Sequence, residues 1–132
     1  MHLSILNPLS YPLPPTLYDR LEVIYAHLKE RFLIPDCEVE LAIVHEEEIR
    51  RLNATYRNQD KVTDVLSFPV KTESHESFLG AIYFCYSEVI NRNEDFLSGF
   101  CYLFIHSFLH LLGYEHSEEM FSLQDEIFSK FF

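Results

Sequence analysis

Three of the 7 histidines in this chain fall in one short segment, His106-Ser107-Phe108-Leu109-His110-Leu111-Leu112-Gly113-Tyr114-Glu115-His116. Residues four apart in a helix share a face one turn apart, so His106 and His110 can point the same way. Two imidazoles so placed reach one ion at about 2.0–2.1 Å. Gly113 permits a left-handed turn that ends the helix. The chain then folds back, and His116 can approach from a second direction. Three neutral nitrogens and a water make a tetrahedral site with one open position, the arrangement of a catalytic metal rather than a sealed structural one. The expected cofactor is one zinc ion per chain, although three imidazoles also suit nickel or manganese. A single histidine on an apolar helix is more simply a packed core residue. Three of them, with the turn that chelation needs, favour a metal.

The same spacing is similar to the metzincin motif HExxHxxGxxH, with one residue changed. Ser107 stands where that motif has its glutamate base. A peptidase needs a base to take the proton from metal-bound water, so this substitution counts against proteolysis. Glu115 is near in sequence, with its direction unset.

The elements that must position these residues follow from periodicity and breakers. His2 to Leu6 reads as a short strand, and the proline-rich stretch Pro8 to Pro15 as a loop. Thr16 and Asp19 have capping-box spacing for a helix to about Phe32, with Leu17, Leu21, Ile24, Tyr25, Leu28 and Phe32 at helical spacing; Pro35 and Asp36 break it. Glu38 to Val44 alternates as a strand, with Val39, Leu41 and Ile43 on one face. Glu46 to Tyr56 reads as a helix, Thr63 to Phe68 as a strand closed by Pro69, Lys71 to Ser77 as a polar loop, and Leu79 to Tyr86 as a further strand. Ser87 begins a short helix to about Glu94. Phe96 to Leu112 is a long apolar helix stopped by Gly113, and Ser117 caps a last helix through Lys130. Together these elements predict an α+β fold in a single domain over residues 1–132. It has one mixed sheet of about four strands, helices packed on one side, and a central helix that carries the metal ligands.

Composition narrows the function class. With 132 residues and 48% hydrophobic content, the chain can bury one core. Gly is scarce at 3, which argues against a Gly-rich phosphate loop. A net charge of -11 opposes general binding to phosphate backbones. A local basic patch can still dominate over a Debye length of about 8 Å. Cys37, Cys85 and Cys101 form no CxxC pair and read as reduced, buried thiols of a cytosolic protein. No secretory signal is expected, because the start, Met1 to Pro15, lacks a basic region and carries four prolines. Phe96 to Gly113 is apolar, but His106, Ser107 and His110 within it favour a buried helix over a membrane span.

A second constellation lies upstream. Residues 53 to 69 read Asn-Ala-Thr-Tyr-Arg-Asn-Gln-Asp-Lys-Val-Thr-Asp-Val-Leu-Ser-Phe-Pro. Together with the histidine cluster, this segment closely resembles the YbeY family of metal-dependent endoribonucleases that mature ribosomal RNA. Leu52, Asn53, Tyr56 and Arg57 match first, then Thr63 to Pro69, then Leu79, Gly80 and Ile82. His106 to His116 follow, with Met120 and Gln124 to Ile127 beyond them. The resemblance covers about residues 38 to 128. The chain departs from the family pattern at Ala81, where an Asp is usual, at Glu115 for Asp, and at Ser107 for a residue that is commonly Gly.

The resemblance implies a zinc-binding α+β domain that cuts single-stranded RNA in the cytoplasm, in 16S ribosomal RNA 3′-end maturation and ribosome quality control. Its expected partners are ribosomal RNA and the small ribosomal subunit, with no DNA and no membrane. It carries His106, His110 and His116 over as ligands and Arg57 as the basic residue acting on phosphate, for which a guanidinium offers a planar fork. Arg50, Arg51, Arg57 and Lys61 are the notable basic cluster. Arg50, Tyr56 and Lys61 are candidate substrate contacts, with Tyr56 or Tyr114 able to stack on a base. The plainer readings stay open. Arg50 and Arg51 could pair with Glu46, Glu47 or Glu48, and Arg57 could bridge to Asp60 or Asp64. Asp64 could orient a ligand histidine. Two other functions compete: a metallopeptidase using the same histidines, and a non-catalytic ribosome assembly factor with a structural zinc.

Overall fold

A computed structural model describes residues 3–35, 37–70 and 78–132. The elements run β1 (Leu3–Leu6), α1 (Leu17–Arg31), β2 (Glu38–Val44), α2 (Glu46–Arg57), β3 (Val65–Pro69), β4 (Phe78–Cys85), α3 (Tyr86–Arg92), α4 (Phe96–Leu111) and α5 (Glu118–Ser129). The expected loop at Lys71 to Ser77 lies outside the described residues, as do His2 and Asp36. The four strands form one mixed sheet in the order β1-β2-β4-β3. β1, β2 and β4 are parallel, and β3 runs antiparallel on the edge beside β4. This is the α+β single-sheet architecture read from the sequence.

Alternation along the strands sends two residue sets to two faces. Val39, Leu41, Ile43, Ile82 and Phe84 meet α1, α4 and α5 in the main core, where Leu21, Ile24, Phe100, Phe104 and Phe108 are fully buried. Burying a side chain of this kind stabilises by about 1.5–3 kcal/mol. The other face is not bare, contrary to the expected one-sided packing. Ile49 and Leu52 of α2 cover Leu66 and Cys85 there, with Tyr83 and Phe68 beside them. The cause is the amphipathic stripe of α2, which leaves Ile49, Leu52 and Asn53 as its buried residues and needs a sheet face to cover them.

Three helix boundaries are made differently from expectation. Thr16 precedes α1 with helical backbone angles, φ -89 and ψ -3, and makes no capping bond. A cap needs extended backbone to aim its oxygen back at the first turn, so the Thr16–Asp19 box does not form. At the other end, Leu33 N donates to Glu30 O and Ile34 N to Lys29 O. That is a Schellman closure around Leu33 at φ 54. The helix therefore ends before Pro35, which continues a stop already made. Ser87 also does not cap α3. Cys85 occupies that position, and Ser87 Oγ donates instead to Glu46 Oε1 at 2.8 Å, tying α3 to α2.

The helix that carries the first two histidines is buried nearly all round, as its composition requires. Asp95 caps it by accepting from Ser98 N at 2.9 Å. Its C-terminus closes with Gly113 N to His110 O and Tyr114 N to Leu109 O, a second Schellman motif, with Gly113 at φ 101. Ser117 then accepts from Met120 N and starts α5. Among the described residues no helix is long and apolar enough to cross a membrane. Cys37, Cys85 and Cys101 are free and buried, and burial pushes the Cys101 thiol up to about 12.

Candidate metal centre and its cleft

The Nε2 atoms of His106, His110 and His116 converge. They are 3.2 Å apart for His106 and His110, 3.0 Å for His110 and His116, and 3.4 Å for His106 and His116. Nitrogen donors around a tetrahedral zinc at about 2.0–2.1 Å stand about 3.3 Å apart, so the triangle fits one ion. The far side of the rings tells which form they take. His106 Nδ1–H donates to Gln124 Oε1 at 2.6 Å, and His110 Nδ1–H donates to the Tyr114 carbonyl at 2.8 Å. Both acceptors can only accept. With the proton on Nδ1 in each ring, His106 and His110 turn Nε2 lone pairs toward each other and toward His116. Lone pairs at this separation repel unless a cation lies among them. Burial lowers the pKa of His106 and of His110, which keeps both rings in the neutral, ligating form.

Each of these supports comes from a different element. Gln124 lies on α5, is 1% exposed, and sits in the same stripe as Met120 and Ile127. The Tyr114 carbonyl is fixed by the Schellman turn that Gly113 makes possible. His116, on the exposed turn before α5, stacks on Phe121 at 5.8 Å with the rings 8° from parallel. Gly80 of β4 lets α4 approach the sheet. A Cβ there would fall 2.6 Å from the Phe68 carbonyl oxygen and 2.8 Å from Leu111 Cδ2, one residue from His110.

The histidines open into a cleft of about 680 Å³ that is also lined by Tyr56, Arg57, the whole of β3, Tyr114 and Glu115. Arg57 leaves the last turn of α2 and crosses to β3. Its Nη2 donates to the Ser67 carbonyl, and its guanidinium lies 5.3 Å from the centre of the Phe68 ring. Tyr56 packs edge-on against Phe68 at 5.4 Å while remaining 61% exposed. Among the described residues, Glu115 contributes a carboxylate to the lining.

The remaining sequence candidates sort clearly. Arg57 bridges neither Asp60 nor Asp64. Asp60 pairs with Arg50 at 2.8 Å, and Asp64 with Arg92 at 3.7 Å. The groups that hydrogen-bond the histidine Nδ1 atoms are Gln124 and the Tyr114 carbonyl, not Asp64. Arg51 pairs with Glu48, as the plainer reading had it. Arg50 and Lys61 do not line the cleft. Asn53 donates from its side chain to the Lys61 carbonyl and holds the loop after α2. Sequence reasoning passed over the role of Gln124, although a signal existed. An amide in an apolar helical stripe at positions 120, 124 and 127 needs a buried partner.

A family model described as Endoribonuclease YbeY matches residues 17–132. The chain belongs to the YbeY endoribonuclease family. An Endoribonuclease YbeY of Ureaplasma urealyticum is 42% identical over 112 residues, covering 77% of this chain and 68% of the relative. That of Ureaplasma parvum is 41% identical over 101 residues, covering 69% and 65%, so the match spans about two thirds of the length of these YbeY relatives. The YbeY of Staphylococcus aureus is 35% identical, with 78% of each chain covered. A Thermotoga maritima protein with a known solution structure shares the fold at a TM-score of 0.58 and 31% identity, over 98% of this chain and 88% of its own.

Proposed function

We propose that the chain is a zinc-dependent endoribonuclease that cuts single-stranded RNA. Its biological task is 16S ribosomal RNA 3′-end maturation and quality control of the small ribosomal subunit, carried out in the cytoplasm. The observation that supports this reading most directly is the sharing of one cleft by three converging imidazole nitrogens and a guanidinium without a carboxylate partner among the described residues. Cleaving a phosphodiester needs charge stabilised on the phosphoryl oxygens, and this cleft offers it.

His106, His110 and His116 would hold the ion, which when bound supplies Lewis acidity and a water of lowered pKa, about 7. Arg57 binds the phosphate. One Nη is fixed on the Ser67 carbonyl, so the rest of the fork is aimed before substrate arrives. Tyr56 and Tyr114 present aromatic faces on which unpaired bases can stack, which favours single strands. Among the described residues that line the cleft, Glu115 offers a carboxylate to take a proton. Arg50 and Lys61 are assigned to RNA outside the cleft, where Arg50 exchanges Asp60 for a phosphate.

A peptidase reading is disfavoured by Ser107. It is fully buried and does not line the cleft, so no base stands at the metzincin position. The test is cleavage of single-stranded RNA by protein of known metal content, with Arg57→Ala alongside. Cleavage that is lost in the variant at unchanged metal content supports the assignment. A metal-loaded protein that leaves RNA intact and hydrolyses peptides overturns it.

A further inference from the structure

β3 turns half of its backbone toward the cleft, and the register tells which half. Cys85 N donates to Asp64 O at 2.8 Å, and Val70 N donates to Leu79 O at 3.1 Å. In an antiparallel ladder, alternate residues point both backbone groups at the partner strand. Residues 64, 66, 68 and 70 therefore face β4. Val65, Ser67 and Pro69 face outward, and all three line the cleft of the histidines and Arg57. Among the described residues the outward N–H groups of Val65 and Ser67 meet no acceptor. Pro69 has no N–H to offer.

An open strand edge ordinarily invites another strand, because it presents donors and acceptors in alternation. Here that alternation is spoiled. The central outward acceptor, Ser67 O, is already taken by Arg57 Nη2, and Pro69 removes the next donor. What is left is an N–H at Ser67 with a guanidinium bonded to the carbonyl of the same residue. That set suits an anion better than a peptide. The ladder to β4 fixes the flanking residues 66 and 68, so the Ser67 N–H needs no reorganisation to serve as a donor.

We infer that the Ser67 backbone N–H binds a phosphodiester oxygen of single-stranded RNA, alongside Arg57 and facing the three histidines. The inference rests on the nuclease reading above and names how that site holds its substrate.

The test uses the zinc-loaded protein and a phosphorothioate 2′-O-methyl oligouridylate that resists cleavage. Amide resonances are followed by ¹⁵N–¹H correlation, and binding is followed independently by fluorescence anisotropy. The expected result is a downfield shift of the Ser67 amide that exceeds those of Leu66 and Phe68, whose N–H groups are in the ladder. Binding by anisotropy with an unmoved Ser67 amide overturns this inference and leaves the nuclease reading standing. No binding, and no cleavage of unmodified RNA, overturns both. A Ser67 shift produced by an extended peptide and not by the oligonucleotide also overturns it. A second arm compares S67P with S67A. Proline removes the outward N–H while sparing the ladder, as Pro69 does on the same strand. Cleavage by S67P is expected about 10²-fold below that of S67A at equal metal content, and equal cleavage by the two counts against the role. The amide shift is read in unaltered protein, so it decides the matter even if S67P does not fold.

Discussion

Gln124 Oε1 lies 2.6 Å from His106 Nδ1, in a place where Gln124 is almost wholly buried. The amide oxygen accepts and cannot donate, so the bond holds the His106 proton on Nδ1 and frees Nε2. Partners of this kind raise ligand basicity and fix ring orientation. Gln124→Leu keeps the volume and removes the acceptor. Zinc affinity should fall by about 10- to 100-fold, read by competition with a chelator of known affinity. The metal-free variant should also lose about 1–3 kcal/mol in urea unfolding, because His106 Nδ1–H is left without an acceptor. Unchanged affinity would remove Gln124 from the site.

Metal content tests the histidine triangle itself. Protein purified without an affinity tag should carry close to one equivalent of zinc by mass spectrometry, and His110→Ala should carry almost none. Zinc at about 100 times its dissociation constant should stabilise the wild type by about 2.7 kcal/mol. A variant and wild type with equal metal content would return the three rings to a packing role.

Acid should weaken the site in two ways with one sign. Burial holds His106 and His110 below the ordinary imidazole value of 6.5. As pH falls, the unfolded chain therefore takes up these protons first. The stability they contribute is present above the unfolded value and is lost as pH drops through the lower folded values. Metal-free protein should show a melting temperature that declines below about pH 6.5. The increment from zinc should shrink over the same range, because protons compete for the same Nε2 atoms. A metal-free melting temperature that rises on acidification would contradict the linkage.

Arg57→Lys separates charge from geometry. Lysine keeps the positive charge but lacks the planar fork that can grip the Ser67 carbonyl and a phosphate together. RNA cleavage should fall by about 10²-fold or more, with zinc content unchanged. Full activity in the lysine variant would show that a point charge suffices.

Two glycines set the end of α4 for different reasons, and their alanine variants should differ accordingly. At Gly80 the obstacle is space. Gly80→Ala collides with the Phe68 carbonyl and Leu111, and should cost about 1–3 kcal/mol while displacing the helix that carries His110. At Gly113 nothing lies within 4 Å of an added Cβ. There the cost is the left-handed backbone alone, about 1–2 kcal/mol. Denaturant unfolding gives both values, and a circular dichroism spectrum confirms that the helices persist.

Much of this site was legible because its histidines are local. His106, His110, Gly113 and His116 sit within one helix and its closing turn, where spacing translates directly into geometry. The strands and the α+β class followed from alternation and breakers in the same way. What could not be read was whatever depends on distant packing. The Arg57 bond to Ser67 and the Gln124 bond to His106 each join elements that meet only after the sheet and α5 are in place. The cover that α2 gives to the second sheet face is likewise a tertiary fact. At Thr16 and Ser87 the residue types were right for caps, but the backbone angle at one and a competing carboxylate at the other decided otherwise. Leu33 closing a helix in the left-handed region is the choice that sequence signals least anticipate, since glycine is the usual occupant.

The three nitrogens are not mounted alike. His106 and His110 stand on a helix buried nearly all round, while His116 hangs from the exposed turn beyond Gly113. An ion held among them would be most open to solvent on the His116 side, because that ring is the exposed one of the three. Small chelators should then reach the site from that side without unfolding of α4. Tightening the turn, for instance through the Phe121 ring stacked on His116, would lengthen the residence time of the ion without changing a single ligand.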